Sequence, residues 1–177
     1  MSICHHTLLS NGLLVDWPHA RLALTVYAPG AVRVRYTLQP DFSLRSSLMV
    51  VAAPDDAVPF TVEAEPDALR LITAELTILI DRASGALTYL DSRGQLLTKE
   101  PAGGGKTLTP VDVHLSVFDD EAVLETGVGA DGVRVRAQNV RTVVDRQAVQ
   151  ATLAFEWAPD EALYGLGSHE EGMLNLR

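Results

Sequence analysis

Apolar and polar residues alternate one by one along most of this sequence, and this period of two constrains the fold more than any other feature. In "RLALTVYA", Leu22, Leu24 and Val26 fall on one face of an extended chain and their neighbours fall on the other. The pattern recurs at Val32, Val34 and Tyr36, and again at Val111, Val113, Leu115 and Val117. Successive side chains of a strand point to opposite faces, so the alternation predicts half-buried strands in antiparallel sheets.

Turn signals separate these strands at short intervals. The stretch "DRASGALTYLDSRGQLL" places Ser84-Gly85 and Ser92-Arg93-Gly94 between three apolar runs, which predicts a meander of three strands with tight turns. No window of about 12 residues carries a helical stripe with caps. Around a dozen short strands and little helix predict an all-β fold, an antiparallel β-sandwich.

The charge balance limits the partners. Lys and Arg total 14 and Asp and Glu total 23, a formal charge of −9. Nucleic acids and anionic membranes both require a basic face, so we expect neither as a partner. A neutral, hydroxyl-rich ligand such as a sugar is indifferent to this charge.

The single cysteine, Cys4, permits no internal disulfide and favours a reducing compartment. The first residues lack the basic start and the apolar core of a signal peptide. No apolar run approaches the roughly 18 residues that a membrane helix needs. We therefore expect a cytoplasmic protein.

The stretch "PAGGGKTLTP" resembles part of a phosphate-binding loop. That motif needs a glycine five residues before Gly105, where this sequence has Glu100, and it needs a following helix where a strand is expected. We interpret the stretch as a flexible hairpin loop.

No metal or cofactor site is expected. The histidines His5, His6, His19 and His114 have no zinc-like spacing, and the sequence has no C-x-x-C pair.

No catalytic residue is predicted either. Ser168 lies beside His169 without the G-x-S-x-G pattern of a nucleophile elbow. Glycosidic cleavage needs two acids about 5 to 9.5 Å apart across a pocket. The acids in "FDDEAVLE" and "SHEEG" do not define such a pair.

The end of the sequence, "FEWAPDEALYGLGSHEEGMLNLR", resembles the end of the N-terminal β-sandwich of glycoside hydrolase family 31, which includes α-glucosidases and α-xylosidases. The family pattern has an acidic residue, then "YGLG", then a segment similar to "QHQxGxLNxRG". The residues that match are Asp160, Glu161, Tyr164, Gly165, Leu166, Gly167, His169, Gly172, Leu174, Asn175 and Arg177. Ser168 and Glu170 depart from the commoner glutamines. "VYAPGAVRVRY" and "LITAELTILIDRASGALTYLDSRGQLLTKE" resemble the opening strand pair and the central meander.

The resemblance implies a galactose mutarotase-like sandwich over residues 1–177, with 164–177 leading toward a (β/α)₈ barrel. In the family that barrel supplies the nucleophile and the proton donor of a retaining mechanism. We therefore expect this chain alone to be inactive, and Arg177 to mark a domain boundary or a truncated gene. The barrel of the parent enzyme is the expected partner, and an α-linked oligosaccharide or glycoside is expected to bind through it.

The resemblance also implies that the last segment lies near the mouth of the barrel. His169, Glu170, Glu171 and Asn175 are expected close to the substrate in the full-length parent, where they would bind sugar hydroxyls. Apolar side chains at Tyr164, Leu166, Met173, Leu174 and Leu176 would be uncovered without the barrel. We expect residues 168–177 to be poorly ordered or to form a weak homodimer.

Two alternatives remain open. A stand-alone carbohydrate-binding or scaffold module is one, although aromatic residues make up only 6% of the chain. A mutarotase-like aldose epimerase is the other, and it would need a histidine pair and a carboxylate around one sugar ring. The scattered positions of His19, His114 and His169 do not predict that arrangement.

Overall fold

The computed structural model describes residues 4–45, 50–54, 56–118, 124–130, 132–137 and 140–162. Over these residues the chain forms thirteen β-strands and no helix. The strands are β1 His5–Leu9, β2 Gly12–Trp17, β3 Ala20–Ala28, β4 Ala31–Thr37, β5 Thr61–Ala64, β6 Ala68–Ile72, β7 Leu76–Asp81, β8 Leu87–Asp91, β9 Leu96–Lys99, β10 Lys106–Phe118, β11 Leu124–Gly129, β12 Gly132–Ala137 and β13 Val140–Leu153. The predicted all-β fold with antiparallel sheets is confirmed.

The chain falls into two compact units, one made of Met1–Lys106 with Leu153–Arg177 and the other of Thr107–Thr152. The first unit contains one sheet with the order β1-β2-β3-β4 and a second with the order β5-β6-β7-β8-β9. Every strand in these sheets pairs antiparallel with its neighbour in sequence. That residues 1–177 form a single domain, with 164–177 leading toward a barrel, stays a prediction.

The two sheets of the first unit bury one shared core. The predicted inward face of β3 is confirmed, since Leu22, Leu24 and Val26 have no exposed surface. The second sheet contributes side chains that are equally buried, namely Leu69, Leu71, Ile78, Ile80 and Leu87. Full burial of one such side chain stabilises a fold by about 1.5–3 kcal/mol relative to exposure. This contact between the two inner faces makes the first unit a sandwich.

The predicted meander is confirmed as β7, β8 and β9. Its turns contain Gly85 and Gly94, which have the positive φ angles of 72° and 78° that glycine tolerates best. An aspartate orders each turn. Asp81 Oδ1 accepts a hydrogen bond of 2.7 Å from the Ser84 N–H, and Asp91 Oδ1 accepts bonds of 2.8 Å from two backbone N–H groups.

The second unit, called the ribbon below, consists of two strand pairs, β10 with β13 and β11 with β12. Among its described residues none is buried. Leu115, which the alternation predicts on a core-facing side with Val111, Val113 and Val117, is 53% exposed. Val111, Val113 and Val117 are half-buried. The alternation therefore correctly predicts the strands here, but its apolar side chains are only partly covered.

Gly12 provides a test of how tightly the first sheet is packed. A Cβ atom added at Gly12 would lie 1.9 Å from the backbone oxygen of Leu24, so β2 and β3 would have to separate. We expect Gly12→Ala to lower the free energy of unfolding by at least about 1–3 kcal/mol, the usual cost of overpacking. Urea unfolding followed by circular dichroism measures this.

The matched control is Gly103→Ala. This residue lies in a turn with no atom within 4 Å of the added Cβ. We expect a change of less than about 1 kcal/mol there. Equal effects at the two positions would contradict the close approach of β2 and β3.

Candidate functional site

The four residues expected near a substrate, His169, Glu170, Glu171 and Asn175, lie outside the described residues, as does all of 163–177. Their roles stay predictions, and so does the weak homodimer through 168–177. The described residues show three other features that bear on function. These are a buried ion pair beside β9, a polar depression and an apolar groove.

The ion pair joins Glu100 to Lys106 across the loop between β9 and β10. The Glu100 side chain is 1% exposed and that of Lys106 is 10% exposed. Glu100 Oε2 accepts hydrogen bonds from Lys106 Nζ and, at 3.0 Å, from the Leu87 N–H. Lys106 Nζ also donates to the Gly85 carbonyl oxygen at 3.0 Å. Both charges are thus desolvated but paired, which offsets the cost of burying them.

Glycines in the loop allow this arrangement. The Gly104 N–H closes a turn by donating to the Pro101 carbonyl oxygen at 2.8 Å. A Cβ at Gly105 would lie 2.5 Å from the Ala154 carbonyl oxygen and 2.6 Å from Glu100 Cγ. The Ala154 N–H in turn donates to the Gly105 carbonyl oxygen at 2.8 Å. The backbone at Gly105 is therefore held between Glu100 and the chain that follows β13.

The interpretation of "PAGGGKTLTP" as a flexible hairpin loop is wrong. Among the described strands, β9 belongs to the five-stranded sheet and β10 pairs with β13, so the loop joins two different sheets. The Glu100–Lys106 pair ties its two ends together. The Glu100 carboxylate, which argues against a phosphate-binding loop, is the partner of Lys106. The only sign of this pair in the sequence is that residues of opposite charge lie on either side of the three glycines 103–105.

Two tyrosines lie beside the ion pair. Lys106 Nζ lies 6.0 Å from the ring centroid of Tyr36, within the range of a cation–π contact. Burial, together with the negative charge of Glu100, raises the pKa of Tyr89 to about 12. Burial also raises the pKa of Tyr36. Both phenols therefore remain neutral at physiological pH and cannot act as bases there.

A polar depression of about 410 Å³, called the outer depression below, lies on the face of the five-stranded sheet that points away from the core. Arg70, Leu79, Thr88 and Lys99 lie directly opposite one another on β6 to β9 and line it. The remaining lining residues are Glu65, Ala68, Asp81, Ala86, Glu100, Ala102 and Glu156.

An apolar groove of about 640 Å³ lies beside the outermost strands β4 and β9. Val32, Leu76 and Leu97 line it together with Tyr27 and Tyr89. The Tyr27 hydroxyl accepts a hydrogen bond of 3.3 Å from the Arg33 guanidinium, which also lines the groove.

The four described histidines are exposed and lie on separate elements, with His5 and His6 on β1, His19 between β2 and β3, and His114 on β10. Within the described ranges no group of three or more His, Cys, Asp or Glu side chains could hold a metal ion. The same residues include no helix long and apolar enough to cross a membrane. The expected absence of a metal and a cofactor stays a prediction.

Comparison with known protein families identifies the family of this chain. The family model described as the glycosyl hydrolase 31 N-terminal galactose mutarotase-like domain matches residues 21–177. This chain belongs to that family. The resemblance inferred from the C-terminal motif, the first strand pair and the meander is thereby confirmed.

Two solved structures of family 31 enzymes contain a similar fold. An α-xylosidase from Xanthomonas citri is 26% identical over 95% of this chain, with a TM-score of 0.67. An α-xylosidase from a soil metagenome, solved in complex with xylose, is 18% identical over 71% of this chain, with a TM-score of 0.51. This chain spans only 15% and 22% of the length of those two proteins.

The ion pair of this family 31 domain leads to a stability prediction. Lys106→Met leaves the Glu100 carboxylate buried without its cation, which typically costs about 3–5 kcal/mol. We expect Glu100→Gln combined with Lys106→Met to be less destabilising than Lys106→Met alone, because no buried charge remains. Urea unfolding of both variants measures the difference.

The exposed pair Lys99–Glu156 is the control for this experiment. Its atoms lie 2.7 Å apart and its side chains are 43% and 41% exposed. We expect Lys99→Met with Glu156→Gln to change stability by less than about 1 kcal/mol. A Lys106→Met effect no larger than this would contradict burial of the Glu100–Lys106 pair.

Tyr89 provides a prediction of pH dependence. Its pKa is about 12 in the folded chain against an ordinary value of 10.0, so the folded state binds more protons in that interval. The free energy of unfolding is expected to be unaffected by this phenol below pH 10.0 and to fall as the pH rises from there to about 12. Unfolding curves at several alkaline pH values test this. Tyr89→Phe should reduce the loss, and an unchanged pH dependence in that variant would contradict the assignment.

Proposed function

We propose that this chain is the non-catalytic N-terminal domain of a retaining α-glycosidase of the α-glucosidase or α-xylosidase type, and that the ribbon docks it on the catalytic domain. The family match covers residues 21–177, and the two matched enzymes are several times longer than this chain. The substrate proposed for the full-length enzyme is an α-linked oligosaccharide or glycoside. Two carboxylates of the catalytic domain would perform the cleavage.

The observation that carries the docking proposal is the exposed apolar surface of the ribbon. Val128 and Val133 lie opposite each other on β11 and β12 and are 87% and 68% exposed. Further exposed apolar side chains follow at Leu115, Val140, Val144 and Val149. A two-stranded ribbon is at best marginally stable alone in water, so such a surface favours a covering layer. The catalytic domain is the occupant that we propose.

Residues at the end of the chain would then help to shape the substrate entrance. His169, Glu170, Glu171 and Asn175 carry amide, imidazole and carboxylate groups that bind sugar hydroxyls, and the motif that contains them falls within the family match. We propose these four as substrate-proximal residues of the full-length enzyme. We also propose a cytoplasmic location, on the strength of the single cysteine.

The test is reconstitution from two separate chains. The catalytic part of the enzyme to which this domain belongs is produced on its own and mixed with this chain, and hydrolysis of aryl α-xylosides and α-glucosides is followed. We expect no turnover by this chain alone. We expect binding to the catalytic part, measured by calorimetry, and a higher thermal stability of the catalytic part in the mixture.

Ribbon variants identify the docking surface. We expect Val128→Lys with Val133→Lys to weaken the association at least about tenfold, which corresponds to about 1.4 kcal/mol. These side chains are exposed, so the fold of the first unit should be unaffected. The matched control is Leu8→Lys with Leu44→Lys, at positions 64% and 100% exposed in the first unit. Equal losses in both variants, or turnover by this chain alone, would contradict the proposal.

A further inference from the structure

The outer depression exists because small side chains lie between long ones. Ala68 lies opposite Asp81, and the Asp81 N–H donates to the Ala86 carbonyl oxygen at 3.0 Å, so two alanines flank Asp81 across neighbouring strands. Arg70 and Lys99 belong to the next row of side chains on the same face. Arg70 lies two residues after Ala68 on β6, and Lys99 is the last residue of β9. The alanines form a floor and the long charged side chains form walls around a space of about 410 Å³. Ligand pockets typically enclose about 300–1,000 Å³.

Four of the charged side chains around this space form two ion pairs. Arg70 Nε lies 2.9 Å from Glu65 Oε1 in an ion pair, but it forms no hydrogen bond to that oxygen. Lys99 Nζ lies 2.7 Å from Glu156 Oε2. A charged ligand would have to compete with these contacts. These two ion pairs therefore give no advantage to a charged ligand.

The remaining two carboxylates are also satisfied. Glu100 is paired with Lys106. Asp81 Oδ1 accepts hydrogen bonds from the N–H groups of Ala83, at 3.0 Å, and Ser84, at 2.7 Å. Although burial acts to raise it, these bonds hold the pKa of Asp81 below its ordinary value. Asp81 therefore stays ionised, and its negative charge opposes the binding of an anion.

The paired groups retain hydrogen-bonding capacity. An ammonium group has three N–H donors and a carboxylate has about four acceptor positions, so a single ion-pair contact leaves most of both unused. Lys99 and Glu156 thus present a donor beside an acceptor, and Thr88 adds a hydroxyl that can do either. Neighbouring hydroxyl groups of a sugar ring need this combination. The alanine methyl groups and Leu79 can pack against the C–H groups of the ring.

The wall that carries Glu156 is fixed by the backbone. The Glu156 N–H donates to the Lys99 carbonyl oxygen at 2.8 Å, which places both members of the ion pair on adjacent chain segments. A second bond of 2.8 Å joins the Ala154 N–H to the Gly105 carbonyl oxygen. Preformed geometry of this kind reduces the entropy lost when a ligand binds.

We propose that the outer depression is an accessory binding site for a neutral sugar, with Lys99, Glu156 and Thr88 binding its hydroxyl groups. The site lies entirely within the first unit and needs no residue of a catalytic domain. It therefore goes beyond the proposed function and can be tested without it. None of the described residues that line the depression is aromatic, so the ring is held without stacking and the affinity is modest.

The experiment is a titration of the chain with D-xylose, D-glucose and methyl α-D-xyloside, followed by backbone amide NMR shifts. We expect saturable shifts at residues 86–88, 99–102 and 154–156. Ala102→Trp should abolish them, because Ala102 is an exposed loop residue from which an indole would fill the space. Thr88→Val and Lys99→Met, which remove polar groups with little change of volume, should each weaken binding at least about threefold.

Two controls make the result decisive. Ala130→Trp places the same indole on an exposed turn of the ribbon and should leave sugar binding unchanged. Inorganic phosphate and putrescine serve as anionic and cationic probes and should produce no saturable shifts in these residues. Failure of all three sugars to bind, unchanged binding in Ala102→Trp, or preferential binding of either charged probe would overturn the proposal. None of these outcomes bears on whether the ribbon docks on a catalytic domain.

Discussion

The inner faces of the two sheets in the first unit cover each other, and the rest of that unit depends on this contact. Each sheet is a meander whose hairpins would be marginal alone in water, because a single layer leaves its apolar face exposed. Trp17 of the first sheet reinforces the contact by donating from Nε1 to the Arg82 carbonyl oxygen, at 2.8 Å, in the turn between β7 and β8. The Trp17 ring thus packs against Gly85, and its N–H satisfies the Arg82 carbonyl oxygen.

Burial of the Glu100–Lys106 pair follows from the same contact. Glu100 comes directly after β9, and its N–H donates to the Leu87 carbonyl oxygen at 2.8 Å. This bond extends the hydrogen bonding between β8 and β9 by one residue into the loop. Apolar contact alone would leave the Leu87 N–H without an acceptor, and the carboxylate supplies one. A charge is tolerated in this position only because Lys106 reaches it from the other side of the glycine run.

In the ribbon the same alternation does not lead to full burial of any described residue. Strand β10 contains Val or Leu at every second position from Val111 to Val117, as β3 does from Leu22 to Val26, yet none of the described residues of the ribbon is buried. This difference between the ribbon and β3 matters for a family 31 domain, because the chain spans only a small part of the enzymes it matches. The sandwich buries its inner apolar faces, whereas the described residues of the ribbon include exposed apolar side chains. The outer depression differs from both, because most of its charged side chains form ion pairs and alanines lie between them.

Local rules determined much of this protein from the sequence alone. Alternation identified the strands and the inward side of β3, and the Ser-Gly and Ser-Arg-Gly turns identified the meander, because strand pleating and turn geometry depend on neighbouring residues. The C-terminal motif identified the family. Tertiary structure alone decided which apolar side chains are buried, since Leu24 and Leu115 occupy equivalent positions in their patterns and only Leu24 of the two is fully buried. It also decided that Glu100 pairs with Lys106 and that Lys99 pairs with Glu156, which is 57 positions away in the sequence. Such contacts depend on the path of the whole chain, and no local pattern specifies them.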